Sequence, residues 1–374
     1  MIQTAPIASI TPHFRQVTPA TIWSFVRVQT RDGAVGWGEA TINGRAREIG
    51  VDVRRQAAAL AGTQPDLRQR LTPLAPGQLG FAVTSAIDQA LWDIYAQTRG
   101  QPLAAVLGAT PRSTVPLYAN INRGTTQRTP AGFAASADAA ARAGFTAVKM
   151  APFDGMQPAL AGTAEGRAFT QAGIDRIAAA HAALAGRAAL MVDCHWRFTP
   201  AVAEAVLQEL GRIGVAWFEC PIPEIPANIQ AVRRLRGLAN AAGMQLAGME
   251  EASLVEGFLP WADAYDVVMP DVKYTGGLME ALAIAEQLAA KGAKVSLHNP
   301  TGSVCHATSL HVSAVMASDM RLEMQWGETD WLYDLPDPAL PRPHNGSNAL
   351  PAGPGHGAAL KLDRLVEEAG LPPV

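Results

Sequence analysis

The sequence predicts an α/β protein: a barrel of alternating strands and helices, preceded by a smaller α+β unit. Three observations predict it. Eight short apolar runs alternate with alanine-rich amphipathic stretches from about Val115 onward, at roughly 26 residues per strand–helix pair, the repeat of a (β/α)8 barrel. The segment before them has a different, mixed texture. The chain is also large enough for a barrel with an attachment, with 374 residues of which 48% are hydrophobic and 17% charged, which excludes disorder. A doubly wound open sheet is the alternative, but it calls for a glycine-rich phosphate loop after its first strand, and neither Gly-x-Gly-x-x-Gly nor a P-loop occurs.

In chain order, residues 1–112 form the α+β unit. Phe25 to Thr30 and Ala34 to Glu39 are β-type runs around Arg31-Asp32-Gly33, a hairpin with a glycine-containing turn. Helical pattern follows from about Glu48 to Ala61 and from Leu79 to Arg99, where Ile87, Leu91 and Ile94 recur at helix spacing before Gly100 and Pro102 stop the run. Residues 113–332 carry the barrel strands, expected at Val115–Ile121, Ala147–Met150, Ala189–Cys194, Val215–Glu219, Gln245–Met249, Asp266–Met269, Lys294–Leu297 and Arg321–Gln325. Residues 333–374 form a tail rich in proline and glycine without periodicity until Leu360, expected to lie back on the first unit.

Composition narrows the partners. A formal net charge of -3, with no lysine–arginine run, argues against nucleic acid and anionic membranes. Cys194, Cys220 and Cys305 cannot build a disulfide framework and contain no Cys-x-x-Cys pair, which favours a reducing cytoplasm. Pro6, Pro12 and Arg15 interrupt the first residues, so no targeting segment is expected there, and no later apolar run approaches the ~18 residues of a membrane span. The expectation is a cytoplasmic homo-oligomer acting on a small molecule.

In such a barrel, functional side chains sit at the C-terminal ends of the strands. Ionisable residues collect there: Lys149 on the second strand, Asp193 and His195 on the third, Glu219 on the fourth, Glu250 on the fifth, Asp271 after the sixth, His298 after the seventh and Glu323 on the eighth. Any one acid could pair with a basic residue at the barrel mouth, but so many together require a cation and a charged substrate. Adjacent strands lie ~4.8 Å apart, so Asp193, Glu219 and Glu250 can converge on one ion, and an all-oxygen set suits Mg²⁺. Glu251 rivals Glu250 until strand register is known. Cys194 and Cys220 alternate to the opposite face, which argues against zinc. Asp271 and His298 come from neighbouring strands, where a carboxylate can orient an imidazole and leave its other nitrogen free to take a proton.

These motifs resemble a known family. Asp193-Cys194-His195, Trp217-Phe218-Glu219, Gly248-Met249-Glu250, Pro270-Asp271 followed by Gly276-Gly277, and His298 are similar to the signature of the enolase superfamily, mandelate racemase subgroup. Gly36-Trp37-Gly38-Glu39 and Asp88-Gln89-Ala90-Leu91-Trp92-Asp93 extend the likeness over the first unit. The resemblance implies a modified (β/α)7β TIM-like barrel with an N-terminal α+β capping domain completed by the C-terminal tail. It also implies Mg²⁺ on Asp193, Glu219 and Glu250, with Asp271–His298 as the general-base dyad that removes the proton α to a carboxylate. Glu323 matches the family's eighth-strand acid and would hydrogen-bond the developing charge.

One departure is informative. The subgroup often carries Lys-x-Lys on the second strand, whereas the run here is Lys149-Met150-Ala151, so a base is missing on one face of the substrate and simple racemisation is disfavoured. His195 is expected on the strand face of Asp193, resembling the Asp-x-His of acid-sugar dehydratases, where it would protonate a departing hydroxyl; hydrogen bonding to a metal ligand is its alternative role. Lys149 is expected to offer positive charge near the substrate carboxylate, with an ion pair at the barrel rim as its alternative role. Specificity is expected from the cap near His13–Thr21, with Arg15 among the substrate-binding residues, and from Asn120 and Asn122. Lys273 is expected to be a solvated charge at the mouth, and Cys305 and His306 to pack. The leading expectation is dehydration of a sugar acid to a 2-keto-3-deoxy acid. An epimerase or cycloisomerase, a Schiff-base aldolase using Lys149, and a non-catalytic sugar-acid-binding barrel are the alternatives.

Overall fold

Residues 2–371 other than residue 109 are described by the structure, a computed structural model. The predicted hairpin is present as β2 (Ile22–Thr30) and β3 (Val35–Glu39), but β2 is the middle strand of a sheet ordered β1-β2-β3, because Ile7–Gln16 forms β1. Pro6 and Pro12 hide this strand in the sequence. β1 lies at the sheet edge, where a residue without an N–H is tolerated. The outer side of β1 is covered at Phe14, whose N–H and C=O both pair with Val366 of the tail (2.8 Å each).

The helices α1 (Ala46–Leu60) and α2 (Gly77–Thr98) pack on this sheet, α2 buried along most of its length. Gly36 and Gly38 explain how close the packing is. A Cβ at Gly38 would lie 1.8 Å from the Ala86 carbonyl oxygen, and one at Gly36 2.1 Å from that of Ala90, so β3 rests its backbone directly on α2.

After α3 (Leu103–Leu107), the parallel strands follow: β4 (Thr114–Asn120), β5 (Ala147–Met150), β6 (Ala189–Asp193), β7 (Trp217–Glu219), β8 (Gln245–Gly248), β9 (Val267–Val268), β10 (Lys294–Val295) and β11 (Leu322–Gln325). They pair in sequence order from β4 to β10, with β11 on the other side of β4. The sheet therefore curls. Its two ends meet where Ser296 Oγ donates to the Arg321 carbonyl (2.7 Å) and Glu323 N–H faces the Leu297 carbonyl at 3.5 Å. This arrangement rules out the open doubly wound sheet.

Helices α4 (Pro130–Arg142), α5 (Ala164–Leu184), α6 (Pro200–Ile213), α7 (Ile229–Ala241), α8 (Leu254–Phe258), α9 (Leu278–Ala290) and α10 (Ser303–Val315) connect the strands. Their starts are written locally. Thr129-Pro130 and Thr199-Pro200 place an N-cap hydroxyl before a first-turn proline, and Thr129 Oγ1 accepts from Gly132 N–H at 3.1 Å. Tyr118, Met191, Trp217, Val267 and Met269 fill the barrel below the mouth and give the site a floor. Among the described residues, no helix is long and apolar enough to cross a membrane.

The tail touches both units. Its strand β12 (Ser347–Ala349) pairs antiparallel with the first half of β4, and further along His356 N–H donates to Asp93 (2.9 Å) while its Nε2 meets the Trp37 carbonyl (2.8 Å).

Two buried histidines of α10 make stability depend on pH. Burial lowers His306 from the ordinary 6.5 to about 4 and His311 to about 3. Both stay neutral in the fold at pH values where the unfolded chain would protonate them. Stability is thus complete above pH 6.5 and falls as the pH drops towards 4, because the unfolded state binds more protons in that window. For His306 the loss is on the order of 3 kcal/mol. Urea unfolding should show a midpoint that falls between pH 6.5 and 4, with a shallower fall in His306→Gln. An unchanged slope in that variant would remove His306 as a source of the acid sensitivity.

Candidate active site

The register of three adjacent strands assembles the acidic cluster. Asp193 and Glu219 are directly paired positions at the ends of β6 and β7, and Glu250 follows β8 after Met249, whose φ of 73° turns the chain inward. One carboxylate oxygen from each of Asp193, Glu219 and Glu250 lies within 4.8 Å of the others, and all three residues are buried. Of the neighbouring pair, Glu250 enters the cluster while Glu251 is exposed at the cavity mouth. Cys194 packs in the hydrophobic core and Cys220 is fully buried, both outside the cluster.

The cluster's electrostatics fit a divalent cation. Burial pushes the Glu250 carboxyl well above the usual carboxylate range, and the charges of Asp193 and Glu219 push it further. Burial raises Glu219 to about 7 against the pull of Lys149. For Asp193, burial is outweighed by His195 and Lys149, which hold it at about 2. Glu250 Oε2 is buried without a hydrogen-bond partner. An orphaned carboxylate oxygen beside two other acids is what a hard, oxygen-seeking ion such as Mg²⁺ would satisfy.

Beside the cluster lies the expected dyad. His298 Nδ1 is 2.9 Å from Asp271 Oδ2, and its Nε2 faces inward, 3.3 Å from Glu250 Oε2 and 3.8 Å from Glu323 Oε2. Lys273 is not a solvated charge: its side chain is 2% exposed, and its Nζ lies 3.0 Å from the same Asp271 oxygen. Burial raises the Asp271 carboxyl, but Lys273 and His298 outweigh it and hold the group ionised.

The cap grips the two loops that carry this dyad. Asp88 Oδ2 accepts from Leu278 N–H (2.7 Å), Ser85 Oγ from Gly276 N–H (3.0 Å), and Gln89 donates to the Val272 carbonyl (3.3 Å). Fully buried Glu39 accepts from Gly302 and Cys305 N–H (2.8 and 3.0 Å), and Gly302 leaves no space for a Cβ against it. Sequence reading recognised these motifs but not this role.

Lys149 requires a correction. It is fully buried between Glu219 Oε1 (2.6 Å) and Glu323 Oε1 (2.9 Å), and it does not line the cavity. Although burial opposes the charge, these acids raise its pKa well above the ordinary lysine value. It therefore balances the acids instead of meeting a substrate carboxylate, and an amine so held is not a Schiff-base nucleophile. Burial of Glu323 is likewise outweighed by Lys149, His298 and Asn120, which hold its carboxyl at about 2, so it is an acceptor here. Asn120 Nδ2 donates to it at 2.7 Å.

His195 reaches Asp193 by another route than strand alternation. β6 ends at Asp193, and His195 and Trp196 follow with φ of 46° and 55°. This tight turn folds the imidazole back, Nε2 lying 2.7 Å from Asp193 Oδ2, and the Asp193 charge raises the His195 pKa. Asn122 lines the cavity, its side-chain oxygen taken by Arg128 (2.7 Å). Arg15 does not line it. Its guanidinium lies 3.8 Å over the Trp331 ring and donates to the Arg364 carbonyl, so it ties the cap to the tail, and its assignment to substrate binding is withdrawn.

The resulting cavity has a volume of about 470 Å³. Its polar lining comes from the barrel mouth, with Thr41 and Asn43 from the cap. Arg123, Lys273 and Gln325 line it too, and sequence reading did not assign them to the site. Their positions two or three residues beyond Asn120, Asp271 and Glu323 were the available signal.

A parallel barrel closed by an α+β cap, with three carboxylates and a His–Asp dyad at its mouth, defines the class of the enolases. The chain belongs to the mandelate racemase/muconate lactonizing enzyme family. Residues 6–108 match the family's N-terminal domain and residues 132–364 the enolase C-terminal domain-like family. The D-gluconate dehydratase of Thermoproteus tenax is 31% identical over 361 residues, covering 92% of this chain and 69% of the relative. The D-galactonate dehydratase of Verminephrobacter eiseniae is 27% identical over 301 residues, covering 78% and 75%. Among solved structures, a mandelate racemase/muconate lactonizing enzyme-like protein from Roseovarius sp. TM1035 superimposes with a TM-score of 0.81 at 23% identity, covering 95% of this chain and 93% of its own, a likeness of fold.

Proposed function

We propose that the protein dehydrates a sugar acid to a 2-keto-3-deoxy acid with Mg²⁺ held by Asp193, Glu219 and Glu250. The observation that carries this reading is the inward-facing Nε2 of His298, oriented by Asp271 and set beside the three-carboxylate cluster. The relatives named D-gluconate and D-galactonate dehydratase support the net reaction and the substrate class. When bound, Mg²⁺ supplies positive charge against the substrate carboxylate and the negative charge that grows on it.

The α C–H bond breaks and its proton passes to His298 Nε2. Asp271 holds the ring by Nδ1 and stabilises the imidazolium that forms. The β C–O bond then breaks, His195 gives a proton to the departing hydroxyl, and water leaves. The enol that remains tautomerises to the 2-keto acid. Ala151 stands where a second lysine would supply the acid–base group for the other face, and without that group elimination is better served than inversion.

General-acid assistance is typically worth ~10²–10⁴-fold, so His195→Asn should lower keto-acid formation by about that much while α-hydrogen exchange persists. Both rates are to be measured on one substrate, found by screening mono- and diacid sugars. Equal losses with weaker Mg²⁺ binding would sink the general-acid role and leave His195 as a support of Asp193. Inversion of a centre without loss of water would replace dehydration by epimerisation.

A further inference from the structure

The mouth of the cavity contains a polar group that the reaction above does not use. Gln325 ends β11 two residues after Glu323, so both side chains point to the barrel interior, with Gln325 about 7 Å nearer the mouth. It is 5% exposed, and its Oε1 is buried without a hydrogen-bond partner. Its paired position on β4, Asn120, is already committed: Nδ2 donates to Glu323, and Oδ1 accepts from Asn122 N–H at 2.9 Å.

A second polar group that makes no hydrogen bond lines the same cavity. Trp326 N–H donates to the Asn120 carbonyl (3.0 Å), and the Gly124 backbone packs on Trp326 and Gly327, so the loops after β4 and β11 meet here. Arg123, on the first of these loops, has its Nη1 buried without a hydrogen-bond partner and 3.6 Å from Glu328 Oε2, on the second. The Glu328 side chain is itself 4% exposed and accepts from Thr21 Oγ1 of the cap (2.9 Å). An amide oxygen and a guanidinium nitrogen that make no hydrogen bond, lining one cavity, are groups that a ligand can satisfy.

We propose that Gln325 and Arg123 form the subsite that reads the hydroxyl-bearing end of the substrate, distal to the reacting carboxylate. The amide offers acceptor and donor to a hydroxyl, and Arg123 adds a donor. Glu328 offsets the Arg123 charge, so the subsite presents hydrogen bonds without net charge. It therefore takes a hydroxyl in preference to a second carboxylate, which makes the substrate a monocarboxylic polyhydroxy acid. This deepens, and rests on, the sugar-acid reading above.

The test crosses one substitution with the length and charge of the substrate. Steady-state kinetics of the Mg²⁺-loaded wild type and Gln325→Leu are compared on six-carbon monoacids (D-gluconate and D-galactonate first), on their four-carbon counterparts, and on the matching six-carbon diacids. The substitution should lower kcat/KM for the six-carbon monoacid by about 10–100-fold, mainly through KM, and the four-carbon acid by much less. The wild type should prefer the monoacid to the diacid. Leucine removes an amide that has no partner, so the melting temperature without substrate should hold or rise; Gln325→Met is the second variant for the same comparison.

Equal losses on long and short acids, a fall in melting temperature in both variants, or a preference for the diacid would overturn the subsite while leaving the dehydratase reading intact. If the wild type turns over no acid of the series, the sugar-acid reading fails and the subsite assignment fails with it.

Discussion

Replacing His298 by asparagine should abolish turnover, with a loss of at least about 10⁴-fold, the upper end of what a positioned base contributes. The same variant should lose exchange of the substrate α-hydrogen with deuterated water and keep its Mg²⁺ affinity, because His298 touches Glu250 only at 3.3 Å. The size of the expected loss follows from the absence of a substitute among the described residues. Lys149 is locked between Glu219 and Glu323, Lys273 is paired with Asp271, and the Asp193 charge favours the protonated form of His195, which suits an acid and not a base. Proton NMR of the substrate in deuterated buffer measures exchange directly, and calorimetry measures the metal. Retained exchange would show that another group removes the proton.

The second large effect concerns Glu219. Glu219→Gln should weaken Mg²⁺ binding by more than the ~10–100-fold typical of losing an outer-sphere partner, since a neutral amide replaces one of three convergent carboxylates. In the wild type, Mg²⁺ at 100 times its dissociation constant should stabilise the fold by about 2.7 kcal/mol, seen as a rise in melting temperature. That rise should vanish in the variant at the same concentration. Glu219 also holds Lys149 and accepts from Trp217 Nε1 at 2.6 Å, so the metal-free variant is expected to melt lower than the wild type. Unchanged metal affinity would remove Glu219 from the metal site.

These predictions rest on residues visible in the sequence, for a geometric reason. In a barrel of parallel strands, the last inward residue of each strand projects toward a common axis whatever the loops do. Locating β6 and β7 by their apolar runs was therefore enough to place Asp193 beside Glu219. The same holds for Asp271 and His298, carried by neighbouring strands. The starts of α4 and α6, Thr129-Pro130 and Thr199-Pro200, also act within one turn and so are local features.

What the sequence by itself determined, then, is the alternation of strands and helices, the cap hairpin, and the set of ionisable side chains at the barrel mouth. Only the tertiary structure decided how those charges are shared. It put Lys149 between two acids, drew Lys273 out of solvent onto Asp271, folded His195 back through two left-handed residues, and seated Glu39 on a helix start more than 260 residues away. It also revealed β1 behind its prolines and β12 beneath the barrel. The physical reason is range. Periodicity and capping report interactions within a few residues, whereas the partner of a buried charge is set by which distant segments the fold brings within about 3 Å, and desolvation makes that choice decisive.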